Sequence, residues 1–251
     1  MFRKNKIEFL IADKEVKEVC DPPVKASKAL PEWIKVLENE NKGILTAKRC
    51  LPLIEASSEG YVWRTHTDIE FVVEEEEKGI LKLFMIFPNH INQFPVIDEI
   101  SIISPHDDSQ AYLKDQNRSE IQKLHGNISF KQIYKFNNLY LIKTPKGYSC
   151  RFKSLSNNFN LPFQFFEGVV ETDHHYDIIN FPFRYTGPLK PHKYFLKKGT
   201  PLLQIIPFKR EKWTSSVGII DNVRFRKQHF KLKTHIKNAY RNQVKENNGG
   251  T

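Results

Sequence analysis

Among the nine histidines of this chain, His66 stands two positions before an aspartate in a stretch that reads as strand, His66-Thr67-Asp68. On an extended strand, residues i and i+2 point to the same side. Imidazole and carboxylate could then share one metal ion. A third ligand from a distant strand would complete a two-histidine-one-carboxylate face, the arrangement that leaves positions on Fe(II) open for a co-substrate and oxygen. His175 is the chosen third ligand, with His174 and His192 as the other candidates, and Lys197, Lys198 or Arg210 could hold a co-substrate carboxylate. Polar side chains on a solvent-facing sheet explain the triplet equally well, so the reading carries Fe(II) only as an alternative and expects no cofactor otherwise.

The run Asp173-His174-His175-Tyr176-Asp177 concentrates metal-ligating types. Adjacent residues of a strand face opposite sides and cannot all converge, so an exposed polar turn is expected there. Glu74-Glu-Glu-Glu-Lys-Gly79 reads as a solvated hairpin connection that keeps a sheet edge from pairing with strangers. No G-x-S-x-G elbow and no phosphate-cradling G-x-x-x-x-G-K-[ST] occurs. Cys20, Cys50 and Cys150 are sparse, odd in number and without a C-x-x-C spacing. That excludes a disulfide framework or a zinc knuckle and points to small, buried or half-buried side chains in a reducing compartment.

A different chemistry is suggested by charge. Lys and Arg total 39 against 29 acids, for a formal net charge of +10. From Asp221 onward eight basic residues face only two acids, so the excess is concentrated at one end. Aromatics interleave with these cations in Phe208-Lys-Arg-Glu-Lys-Trp213 and again in Phe225-Arg-Lys-Gln-His-Phe230. Lys209, Arg210, Arg224, Arg226, Lys227 and Lys231 are therefore the candidate contacts for an acidic partner or for a single-stranded nucleic acid, whose bases stack on aromatic rings beside a basic groove.

The elements that must position these groups are mostly strands. Basic residues followed by a short apolar stretch open the chain, but Glu8 interrupts it, so it reads as a first strand and not as a signal or anchor. After Asp21-Pro22-Pro23 one short helix is expected within 27–40, with Pro31 in its first turn and Trp33, Ile34 and Leu37 on one face. From about Ala47 apolar and polar residues alternate at period two. Strands are expected over 60–73, 80–87, 97–103, 165–172, 178–185 and 202–208. A hairpin is expected over 138–154 about a type I turn, Thr144-Pro145-Lys146-Gly147. A short helix is expected over 113–124. Phe225, His229, Leu232, Ile236, Tyr240 and Val244 recur at helical spacing, which predicts a basic amphipathic C-terminal helix with a frayed end.

Four segments carry a resemblance to a known family. Lys48-Arg-Cys-Leu-Pro-Leu53 with Gly60-Tyr61, Ile142-Lys-Thr-Pro-Lys-Gly-Tyr-Ser149, Glu167-Gly-Val-Val-Glu-Thr-Asp173 and Lys198-Gly-Thr-Pro-Leu-Leu-Gln-Ile-Ile-Pro207 occur in this order over roughly 48–213. In order and spacing they resemble a family of uncharacterised bacterial and phage proteins known as a domain of unknown function. Leu30-Pro-Glu-Trp-Ile-Lys35 is similar to its phage branch. The resemblance implies a β-rich fold and a phage or bacterial source, and it implies no activity. Family members carry an apolar run where this chain has His174-His175-Tyr176-Asp177, so the resemblance lends those histidines no chemistry.

The expectation is thus a mainly β protein, a sandwich or jelly-roll-like single domain. Residues 1–46 form an N-terminal strand, Pro-rich segment and short helix packed on the body, 47–213 form its core, and 214–251 form the basic helix. Functionally it is expected to be a non-enzymatic structural or interaction protein, cytoplasmic or in a virion, without membrane partners. A jelly-roll Fe(II)-dependent oxygenase and a single-strand binder stand as alternatives.

Overall fold

The computed structural model describes residues 5–11, 14–42, 44–77, 80–86, 134–136, 138–188 and 190–234. The strand expected over 97–103 and the helix over 113–124 lie outside them, as do Ile236, Tyr240 and Val244. The chain divides into two units, Met1–Arg210 and Glu211–Thr251. No helix among the described residues is long and apolar enough to cross a membrane.

The protein is mainly β. In chain order the first unit runs β1 (Glu8–Leu10), α1 (Lys14–Val19), β2 (Val24–Lys25), α2 (Glu32–Val36), β3 (Glu40–Asn41), β4 (Ile44–Leu45), α3 (Leu51–Ser58), β5 (Tyr61–Arg64), β6 (Ile69–Glu77) and β7 (Ile80–Ile86). It continues with β8 (Tyr134–Phe136), β9 (Leu141–Lys143), β10 (Tyr148–Ser154), β11 (Phe163–Phe165), β12 (Gly168–Val170), β13 (Phe181–Tyr185), β14 (His192–Leu196) and β15 (Pro201–Lys209). Among the described strands all pairings are antiparallel. The principal sheets have the orders β12-β10-β15-β5-β2, β11-β13-β8 and β14-β6-β7, and β1-β9 and β3-β4 are two-stranded.

The alternation that makes these strands also makes the core. In β13, Phe181, Phe183 and Tyr185 are buried while Pro182 and Arg184 between them are only half-buried. Rings from different sheets meet edge-on: Trp63 of β5 lies 5.4 Å from Phe136 of β8 and 5.3 Å from Phe181 of β13. Phe71 of β6 lies 5.4 Å from Phe163 of β11. One aromatic cluster therefore joins the three principal sheets, and such pairs add to the area they bury.

Several local expectations are corrected. The helix expected within 27–40 is confined to Glu32–Val36, with Pro31 as its N-cap. The period-two texture begins at Tyr61, since Leu51–Ser58 is helical with a proline in its first turn. Strands β9 and β10 do not pair as a hairpin, because β9 joins β1 while β10 joins β12 and β15. Their turn closes one residue later than expected, from Tyr148 N to Pro145 O at 3.1 Å, which puts Gly147 at the third position with φ +87°. A type II turn requires that conformation there.

Helix α3 is fastened to the main sheet by Gln204 of β15. Its side chain is buried and donates to the carbonyls of Ala56 at 2.9 Å and Glu59 at 2.7 Å. Gly60 follows with φ +69°, and a Cβ there would fall on the Ile205 carbonyl. Only glycine fits such a close approach.

Candidate functional site

The residues between β5 and β6 do not form a strand. Thr65 clamps them to the turn before β15: its Oγ1 donates to Lys197 O (2.8 Å) and accepts from Thr200 N (3.1 Å), and its own N–H bonds Thr200 O (3.0 Å). His66-Thr67-Asp68 is therefore a bend, and the same-side argument for imidazole and carboxylate does not apply. Asp68 turns to the backbone and accepts the Lys198 N–H at 2.7 Å. His66 turns inward, 7% exposed, its ring 5.3 Å from Trp63 and 6.4 Å from Tyr140.

Among the described residues neither His66 ring nitrogen has a hydrogen-bond partner, nor do Trp63 Nε1 and Arg64 Nε. Burial lowers the His66 pKa to about 4; Asp21 opposes that shift, and Lys198 and Arg64 add to it. His66 is neutral at pH 7. His175 sits in the turn after β12, half-buried, with its N–H bonded to Glu171 O at 2.9 Å. His192 shares a 2.5 Å hydrogen bond with the Tyr185 hydroxyl. The structure does not bring His66, Asp68 and His175 within reach of one ion. Among the described residues the trio that could meet one is Glu171, Asp173 and His174.

That trio surrounds a centre the sequence reading missed. The Asp173 side chain is 2% exposed, and its carboxylate receives Arg210 Nη1 at 2.8 Å and Nη2 at 2.6 Å, a bidentate pair. The Gly147 N–H adds a third bond at 2.7 Å. Arg210 also donates to Tyr148 O (2.9 Å) and Ser149 Oγ (3.0 Å), and lies 3.8 Å from Glu171. The Arg210 hydrogen bonds hold the Asp173 carboxyl well below the usual carboxylate range. The guanidinium occupies the position from which a cation would neutralise these acids, so the arrangement is a latch closing the 144–147 turn against the end of β15. Arg210, expected as a partner contact, is committed to it.

Replacing Asp173 with asparagine should lower the melting temperature at pH 7, since it removes the charge-assisted pair and leaves a part-buried guanidinium short of its acceptor. A carboxyl with a depressed folded pKa contributes its stability above its unfolded pKa and loses it as pH falls. The gap between variant and wild type should therefore narrow below about pH 4. Thermal melts across that range test it, and a gap that does not change with pH would show that the pair is not the cause.

In the second unit residues 211–220 are exposed and without regular secondary structure, and α4 (Asn222–Thr234) follows. Asp221 caps the helix, its Oδ1 accepting the N–H groups of Val223 (3.0 Å) and Arg224 (3.3 Å). Arg224, Arg226 and Lys227 are exposed on its first turns, and the Phe225 and His229 rings stack at 5.6 Å. Lys231 lies further along α4, whereas Lys209 closes β15 in the first unit. Trp213, Val217, Ile219, Val223 and Phe230 are all more than two-thirds exposed.

All three cysteines are free. Cys20 and Cys150 are buried, and burial pushes each thiol up to about 11, away from nucleophilic or metal-binding use. Cys50, against expectation, is exposed. No protein-family model, no curated protein and no solved structure matches the chain.

Proposed function

We propose that this is a non-enzymatic interaction protein of a phage or bacterial assembly, in which the β body carries a basic C-terminal unit that docks on an acidic protein surface. The observation that carries the reading is the surface of that unit. Large apolar side chains stand exposed among interleaved cations, and in α4 no acid offsets Arg224, Arg226, Lys227, Lys231 and Lys233. Each such side chain gains about 1.5–3 kcal/mol when covered, and charge complementarity selects an acidic cover. The sequence resemblance supports the source. The oxygenase alternative lacks support in the placement of His66, Asp68 and His175.

Truncation after Arg210 tests the reading. The full chain should be retained on immobilised poly-L-glutamate in a salt-sensitive way; the shortened chain should lose that retention and keep its β-type circular-dichroism spectrum and melting temperature. Unfolding of the shortened chain would make the unit part of the core and remove the basis of docking. Tighter binding of the full chain to a fluorescent oligothymidylate, with affinity falling steeply in salt, would replace the protein partner with a single-stranded nucleic acid.

A further inference from the structure

We propose that residues 212–220 are a donor strand that adds, in a second copy of this chain, to the edge of β14 that no described strand covers. The inference rests on the docking reading above and specifies its partner. The segment has the period of a half-buried strand without a ladder. Trp213, Ser215, Val217 and Ile219 fall on one side at alternate positions, and Thr214, Ser216, Gly218 and Ile220 on the other. Val217 and Ile219 are fully exposed, and among the described residues no hydrogen bond reaches the backbone of 212–219. Backbone N–H and C=O groups beside β-branched side chains are what an added strand brings to a sheet edge.

The same chain carries a matching acceptor. Among the described strands β14 pairs with β6 alone, leaving its other side as an edge, and Phe195 on β14 is 49% exposed. Strand direction links this edge to charge. The β14-β6 register sets His192 opposite Val73 and Leu196 opposite Ile69, so a donor antiparallel to β14 runs the same way as β6. Its end at 220 then lies beside the point where β6 continues beyond Val73 into the glutamates at 74–77, with Glu74 and Glu75 exposed. The basic helix that follows the donor would emerge next to this acidic stretch, within about the 8–10 Å over which such charges interact at physiological salt. Donor and edge are different segments of the chain, so each such contact joins unlike surfaces of the two copies.

Sedimentation velocity of the full chain over a concentration series tests this. Wild-type protein should associate as concentration rises, with amides of 212–220 gaining protection from hydrogen exchange. Val217→Pro removes a ladder donor, lies outside every sheet of the first unit, and should leave the melting temperature unchanged while weakening association at least about tenfold. Glu74→Lys with Glu75→Lys should weaken it in the same direction and flatten its salt dependence. Association that Val217→Pro leaves intact overturns strand addition. A chain that stays monomeric yet is retained on poly-L-glutamate overturns the self-partner and leaves the docking reading standing, whereas a monomer that is not retained removes both.

Discussion

Phe183→Ala is expected to destabilise the first unit by about 3–5 kcal/mol and to lower its melting temperature by roughly 10 °C. Phe183 is fully buried, and its ring stacks on Phe136 at 4.7 Å. It also meets Phe163 at 5.3 Å, Phe165 at 5.7 Å and Phe71 at 6.4 Å. Those rings come from β8, β11 and β6, so one side chain touches both neighbours of its own strand and a second sheet. Truncation to alanine removes the transfer energy and leaves a cavity that rigid neighbouring rings cannot collapse into. Phe183→Leu retains most of the volume and should cost about 1.5 kcal/mol or less. Phe159→Ala provides the contrast. That ring is 79% exposed against Trp33, and its loss should stay within about 0.5 kcal/mol. Equal urea midpoints for Phe183→Ala and wild type would mean that the aromatic cluster is not the core.

What local sequence reveals, and what it conceals, follows from the range of the interactions involved. β13 is legible because its burial follows the residue-by-residue alternation of a half-buried strand, and β15 because Leu202, Leu203, Ile205 and Ile206 make a short apolar run bounded by a turn. The mainly β class follows from many such runs. Leu51–Ser58 escaped because a short helix with Pro52 in its first turn resembles a strand boundary when read by composition. Strand β14 escaped because His192, Lys193 and Tyr194 offer little apolar contrast on an edge. The Asp173–Arg210 latch joins residues far apart in sequence, and nothing in the period of either segment predicts the other. Its available signal was the order of motifs: the 142–149 and 167–173 segments of the resemblance meet there through Gly147 and Asp173. His66 was legible as a residue of interest, but its meaning reversed. The spacing suggested a metal ligand sharing a strand face with Asp68, whereas Thr65 turns the chain and buries the imidazole.

That burial makes His66 a second pH-sensitive element of the fold, beside Asp173. An unfolded chain titrates this imidazole near its ordinary value of 6.5, whereas in the folded protein desolvation lowers it to about 4. Above the higher value both states are neutral and His66 adds no pH dependence. As pH falls below it, the unfolded state takes up a proton that the folded state refuses, so stability declines until the folded imidazole titrates too. The interval corresponds to about 3 kcal/mol in total. Asp21, Arg64 and Lys198 are the charged groups acting on the ring, and Asp21 alone favours protonation. His66→Leu removes the titration together with two unpaired nitrogens, a change that is near neutral or stabilising when no partner is left behind. Urea unfolding at pH 7 should then find the variant at least as stable as wild type, and at pH 5 more stable by about a further 2 kcal/mol. If the two proteins lose stability in parallel between these values, the acid sensitivity belongs to other groups and the imidazole has found a partner or solvent in the folded state.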